Sequence, residues 1–209
     1  MNSSIMTGIL IVFIAASAAF ASEQAMGAGE WLARGISLLE SGKYEEAVDA
    51  FSQALQKDSR YALAFYYRGL SWGRKADFDH AISDYTKAIE LNPKLANAYN
   101  NRGNAYCAKG LYDRAISDYN KAIELRPQDD MFYYNRGNAN YSRGHYDRAV
   151  SDYTRAIEIN PEFAFAYSNR GVAFMKMDNL EEACSDWRRA CEWGICGIYT
   201  ILKMLCTEP

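Results

Sequence analysis

ANAYNNRGNAYCAKGLYDRAISDYNKAIELRPQD, residues 96–129, reads as two helices and two stops. Ala96 to Ala108 forms the first helix and Tyr112 to Leu125 the second, with apolar residues recurring at helical spacing. Lys109-Gly110 breaks the run between them, and glycine suits the left-handed residue that ends a helix. Arg126-Pro127 stops the second helix, because the residue before a proline is pushed out of the helical region. Asn92-Pro93 and Asn160-Pro161 place the same stop on either side.

The unit recurs with a period of 34 residues, and a fixed period outranks any reading of a single element. Gly35, Gly69, Gly103, Gly137 and Gly171 share one register, each preceded by Arg34, Arg68, Arg102, Arg136 and Arg170. Ala47, Ala81, Ala115, Ala149 and Ala183 share another, as do Ala54, Ala88, Ala122, Ala156 and Ala190. Rings recur as Trp31, Phe65, Tyr99, Tyr133 and Tyr167, and as Phe51, Tyr85, Tyr119, Tyr153 and Trp187. Glycine inside a helix costs about 1 kcal/mol relative to alanine. Its recurrence therefore predicts a close crossing of the paired helices that a side chain would hold apart. The recurring alanines serve the same contact from the second helix. Arg68, Arg102, Arg136 and Arg170 stand in register with Asp84, Asp118, Asp152 and Asp186, which predicts charge-assisted pairs between helices. A row of anion-binding arginines is the rival. Ala50 takes the acid's place in the first unit, so Arg34 is expected to be free.

The order of aromatic, Arg-Gly, Ala, aromatic, Ala and Pro resembles the tetratricopeptide repeat family. The match covers residues 28–197 in five units, 28–61, 62–95, 96–129, 130–163 and 164–197. The resemblance implies an all-α fold, a right-handed α-solenoid of five tandem helix-turn-helix repeats. First helices would line its concave face and second helices its convex face. Such a stack has contacts between neighbours only, and its ends need caps. The departures fall at the ends, where Ser59 and Ile195 replace Pro. Residues 198–209 would supply a C-terminal capping helix and tail. That helix is expected to run from Gly197 to Cys206, with Ile198, Ile201, Leu202 and Leu205 on one face.

In this family the groove is lined by first-helix side chains that packing does not use. By register these are Leu63, Tyr66, Tyr67 and Leu70, then Asn97, Asn100, Asn101 and Asn104. Met131, Tyr134, Asn135 and Asn138 follow, then Phe165, Ser168, Asn169 and Val172. Asn101, Asn135 and Asn169 share a register and would form a ladder. An asparagine amide carries one acceptor and two donors, matching the N–H and C=O of an extended peptide whatever its side chains. A similar asparagine ladder in that family holds peptide backbone. The expected peptide-binding set is Asn97, Asn100, Asn101, Asn104, Asn135, Asn138 and Asn169, with Tyr66, Tyr67 and Tyr134 adding apolar area and hydroxyls. The alternative is that these asparagines serve the scaffold's own hydrogen bonds. The family's clamp for a C-terminal carboxylate does not carry over. Asn104 and Asn135 match its two asparagines, but Asn100, Phe165 and Asn169 hold its cationic positions. A carboxylate there would be desolvated without compensation.

The chain has 209 residues, a net charge of -3 and 49% hydrophobic residues, enough to bury a substantial core. It lacks the concentrated cationic footprint of a duplex binder, so nucleic acid is not an expected partner. The glycines are spaced rather than clustered, so no phosphate-cradling loop is present. His80 and His145 fall near interhelix turns and read as solvent-exposed. There is no Cys-x-x-Cys pair, and no metal, cofactor or catalytic arrangement is expected. The reading is a non-enzymatic scaffold that binds an extended peptide or partner helix in its concave groove. The alternative is a structural assembly subunit that self-associates or docks on an envelope or membrane complex.

Residues 1–21 contain no Asp, Glu, Lys or Arg. An apolar run at Ile9 to Ile14 leads to Ala19-Phe20-Ala21, a small-x-small ending that fits a secretory signal peptide. Residues 22–27 would then be a short N-terminal segment of a periplasmic or secreted chain. The stretch from Ile9 to Phe20 falls short of the roughly 20 residues that span a bilayer. The leading segment also lacks Lys and Arg, so an uncleaved membrane anchor through residues 5–21 is the rival. In an oxidising compartment, Cys184, Cys191, Cys196 and Cys206 could form a local disulfide clamp. Cys184 and Cys191 lie about 10 Å apart along one helix at 1.5 Å per residue, beyond the roughly 7 Å that a disulfide spans. Cys196 and Cys206 could each reach back to one of them, with reduced core cysteines as the rival. Cys107 stands alone and reads as buried or groove-lining.

Overall fold

The computed structural model describes residues 25–202, 204 and 206. The expected signal segment and Leu205 lie outside the described residues. Eleven helices follow one another among them. The pairs are α1 (Ala28–Glu40) with α2 (Tyr44–Lys57), α3 (Ala62–Arg74) with α4 (Phe78–Leu91), and α5 (Ala96–Ala108) with α6 (Tyr112–Leu125). Next come α7 (Asp130–Ser142) with α8 (Tyr146–Ile159) and α9 (Ala164–Lys176) with α10 (Leu180–Glu192), and a short α11 (Gly197–Leu202) ends the series. Each second helix also packs on the first helix of the next unit. First helices of neighbouring units touch one another, while successive second helices stand further apart, so the first helices line the inside of the curve. The result is a right-handed α-solenoid of five helix-turn-helix repeats followed by a C-terminal helix.

The glycine register sits where the paired helices cross. A methyl on Gly103 would lie 2.7 Å from Tyr119 Cε1, and one on Gly137 2.7 Å from Tyr153 Cε1. Gly35 meets Phe51, Gly69 meets Tyr85 and Gly171 meets Trp187 in the same way. All ten recurring alanines of the second helices are 0% exposed. A bare Cα under each ring lets the helices approach, and the alanines keep the second helix close enough for dispersion contacts to add up.

The turn inside each unit needs one left-handed residue. Gly42, Gly110 and Gly144 supply it at φ 74°, 71° and 77°, but Ala76 (59°) and Asp178 (60°) adopt it too. The sequence reading anticipated Gly110 alone. Between units, Asp58, Asn92 and Asn160 each accept, through Oδ1, the backbone N–H two residues on, at 2.9, 3.1 and 3.2 Å. Asp58 thereby makes the first link turn even though Ser59 stands in place of proline.

The C-terminal end differs from expectation. The helix runs only from Gly197 to Leu202, and Ile201 is 79% exposed. The apolar face expected from Gly197 to Cys206 needs more turns than this helix has. Two disulfides hold the end instead, Cys184–Cys206 (Cα–Cα 5.4 Å) and Cys191–Cys196 (Cα–Cα 4.1 Å). No helix among the described residues is long and apolar enough to cross a membrane.

Two substitutions test this account by urea unfolding. Gly103→Ala drives a methyl into the Tyr119 ring and is expected to destabilise by about 1–3 kcal/mol. Ala76→Gly relieves a left-handed alanine and is expected to stabilise by about 0.5–1 kcal/mol, since the relief exceeds glycine's entropic cost. Opposite signs are required.

Candidate functional site

The inner face is built on a frame of arginines. Arg102 donates through Nε and Nη2 to both oxygens of Asp118, at 2.8 Å each. Its Nη1 reaches back to Thr86 Oγ1 of the preceding unit at 3.0 Å. Arg68 does the same with Asp84 and Ser52, Arg136 with Asp152 and Asn120, and Arg170 with Asp186 and Thr154. The four aspartates are 4–6% exposed. Burial at this depth is tolerable only because each carboxylate faces a forked donor that matches its geometry. Each of these guanidinium groups also lies over the ring three residues earlier, Arg102 over Tyr99 at 5.8 Å for example. These arginines are engaged by the scaffold, which removes the anion-binding rival. Arg34 corrects another expectation: without an acid at Ala50 it is still engaged, its guanidinium lying 5.1 Å from the centre of the Trp31 ring.

Next to the arginines, the ladder asparagines bond backward along the stack. Asn101 Nδ2 donates to the Tyr66 hydroxyl at 3.3 Å, Asn135 Nδ2 to Asn100 Oδ1 at 2.9 Å, and Asn169 Nδ2 to the Tyr134 hydroxyl at 3.1 Å. In each case the acceptor stands one register earlier in the preceding unit. Asn100 is 8% exposed and relays, donating to Asn101 Oδ1 at 3.2 Å, so it does not face a ligand as expected. It is buried because its amide is what Asn135 bonds to. Asn138 Oδ1 accepts from Asn169 at 2.9 Å and from the Tyr153 hydroxyl at 2.7 Å. Asn104 Oδ1 accepts from the Tyr119 hydroxyl at 2.7 Å, and Asn97 Oδ1 from Arg126. Much of the asparagine capacity thus serves the scaffold. Among the described residues the Oδ1 atoms of Asn135 and Asn169 accept no bond, and Asn135 spends only one of its two N–H groups, whereas the Asn101 amide meets the hydroxyls of both Tyr66 and Tyr85.

The three tyrosines divide their surface between core and groove. Tyr67 stacks on Phe51 (5.9 Å between ring centres) and meets Tyr66 edge-on at 5.1 Å. Tyr134 packs against Tyr153 and Phe163 at 5.9 and 4.8 Å. Burial raises the Tyr66 phenol above its ordinary range, so its hydroxyl keeps its proton and can accept from Asn101. Beside this network, between units four and five, lies a cavity of 280 Å³ lined by Asn138, Tyr141, Ser142, Tyr153, Asn169 and Val172. A larger one, 910 Å³, opens at the first unit beside Trp31 and Leu38, away from the asparagines.

The histidines differ from each other. His80 is exposed, with Nδ1 2.8 Å from Asp77 Oδ2 and its ring stacked on Trp72. His145 is half-buried rather than solvent-exposed, and its buried Nδ1 has no hydrogen-bond partner among the described residues. His145 immediately precedes α8 and makes no side-chain capping bond to it. No group of three or more His, Cys, Asp or Glu able to hold a metal occurs among the described residues. Cys107 is a half-buried free thiol, and burial raises its pKa. Two structural roles escaped the sequence reading. One is the row Ser52, Thr86, Asn120 and Thr154 that receives the arginines. The other is buried Asn140, which donates to Asp152 at 2.9 Å. The first row was visible as a recurring short polar side chain 16 residues before each arginine.

A family model described as "TPR repeat" matches residues 35–75, 76–110, 103–144 and 137–178. No curated protein matches the chain. Among solved structures, the chain resembles MamA at 26% identity and a TM-score of 0.72, over 76% of this chain and 93% of that one. YrrB, described as a TPR protein with an unusual peptide-binding site, matches at 21% identity and 0.73, over 90% and 97%. PilW, described as a widely conserved type IV pilus biogenesis factor, matches at 18% identity and 0.73, over 79% and 77%.

Truncating Asp118 to alanine strands the guanidinium of Arg102 and is expected to cost about 3–5 kcal/mol by chemical denaturation, against about 1 kcal/mol for Asn101→Ala. Thiol titration of the unreduced, denatured chain should count one cysteine per molecule, and five after reduction.

Proposed function

Since the chain belongs to the tetratricopeptide repeat family, we propose that it is a non-enzymatic protein-interaction scaffold whose inner face holds an extended peptide. The observation that carries this reading is the pair of open acceptors, Asn135 Oδ1 and Asn169 Oδ1, repeated on successive units beside the second N–H of Asn135. Each amide is already fixed by its bond to the preceding unit, so a peptide would lose little entropy in meeting it. Backbone N–H groups of an extended chain suit the acceptors, and a backbone carbonyl suits the donor. Tyr66, Tyr67 and Tyr134 add apolar edges along the same face. YrrB has the same fold and carries a peptide-binding site by its own description. The partner in this reading is a protein or peptide rather than nucleic acid, since the arginines of the inner helices in units two to five are forked to buried aspartates.

We further place the chain outside the cytoplasm, in the periplasm or secreted, after cleavage between Ala21 and Ser22. Two disulfides at one end support this, because such bonds persist in oxidising compartments. Membrane contact would follow only if residues 5–21 stayed in place as an anchor.

Replacing Asn101, Asn135 and Asn169 together with alanine removes the open groups and five neutral hydrogen bonds, at about 1 kcal/mol each. Circular dichroism should show unchanged helicity with a lower melting temperature. Below that transition, binding of library-selected peptides should fall at least about tenfold. Unchanged binding would remove the ladder from the site. Intact mass of the exported chain should begin at Ser22; retention of residues 1–21 would point to the anchor.

A further inference from the structure

The sixteen first-helix positions that line units two to five, from Leu63 to Val172, carry no charged residue, in a chain that is 23% charged. The arginines that adjoin these positions, Arg68, Arg102, Arg136 and Arg170, are forked to buried aspartates, and Arg126 at the edge of unit three pairs with Asp129 while donating to Asn97. The remaining nearby cations are committed or peripheral. Lys75 pairs with Glu45, Lys109 with Asp79, and Arg143 with Asp113, while Arg74 and Lys176 stand in the last turns of α3 and α9. The 280 Å³ cavity between units four and five follows the same rule. Its walls are the rings of Tyr141 and Tyr153 and the Val172 side chain, and its polar groups are the amides of Asn138 and Asn169 and the Ser142 hydroxyl. Asn138 Oδ1 is already shared by two donors, so the open amide acceptor of this cavity is Asn169 Oδ1. On the same inner face and in the same two units, Met131 and Phe165 occupy one register and are 45% and 56% exposed.

Resting on the peptide-binding reading above, we propose that this cavity is the anchor subsite for one uncharged side chain. The groove then selects an extended segment that carries no charge across units four and five. A charged anchor would surrender its hydration to a pocket with no counter-ion. An apolar or amide-bearing anchor would bury its surface against Val172 and the two rings, with Asn169 Oδ1 free to accept an N–H or O–H. Met131 and Phe165 would cover the apolar neighbour of the anchor. With no ion pair in the interface, salt has little to screen.

The test is selection of random decapeptides displayed on phage against the full-length chain. The recovered peptides should be depleted of Asp, Glu, Lys and Arg at one anchor position and its neighbours. Placing Asp at the anchor should weaken binding at least about tenfold, and affinity should stay within about twofold between about 50 mM and about 500 mM salt. Val172→Lys should shift the recovered anchor to Asp or Glu. Ser142→Lys, at an exposed helix end, should shift it likewise should the first variant unfold. Recovered peptides with charged anchors, or an unshifted anchor in the lysine variants, overturn the subsite and leave peptide binding in place. Peptides that bind the triple-asparagine variant equally well, or no enrichment at all, remove the groove reading and the subsite with it.

Discussion

The structure depends on one contact, made five times: a ring from the second helix lying on the bare Cα of a glycine in the first. Because the glycine and its ring are 16 residues apart, the preceding pair falls into the same offset. Arg-Gly on the first helix therefore meets Asp-Tyr on the second, as Arg102-Gly103 meets Asp118-Tyr119. The steric contact sets how near the helices come, and that distance lets the guanidinium fork both oxygens of a buried carboxylate. Any side chain at the glycine would separate the helices and leave the charge pair without its geometry. The third edge of the guanidinium then reaches the previous unit, so one residue ties the hairpin and the stack together.

The asparagines add a second inter-unit link on the inner face, and it has consequences for binding. A side chain that bonds to the preceding unit cannot swing away, so its remaining lone pair or N–H is held in place. Scaffold and ligand roles are therefore compatible in Asn135 and Asn169, whose amide nitrogens bond to the stack and whose oxygens do not. Asn100 shows the limit of this economy: its oxygen is taken by Asn135, its nitrogen by Asn101, and it is buried. The groove floor that results is polar, neutral and rigid, which suits recognition of backbone more than of charged side chains.

A solenoid gains nothing from a missing neighbour, so its ends must be closed by other means. At the C-terminal end the following helix is six residues long and covers little, and covalent bonds do what packing cannot. Cys184–Cys206 closes a long loop back onto α10, and Cys191–Cys196 pins the turn that leaves it. Such closure reduces the freedom of the unfolded end more than it adds contacts.

The hairpins, their boundaries and the Arg–Asp pairs were legible in the residues alone. Each unit repeats the same local chemistry, and a contact within one unit shows itself as a fixed spacing repeated five times. Stops such as Asn92-Pro93 and breaks such as Lys109-Gly110 act on the backbone where they stand, and need no partner to be read. What crosses between units was not legible. The asparagine links join neighbouring registers, 35 residues apart rather than 34, because the stack is twisted and brings a residue opposite the one before its own equivalent. That twist is a sum over all the interfaces and belongs to no single residue. For the same reason the burial of Asn100, the partial burial of His145 and the cavity beside Val172 were settled only by the tertiary structure.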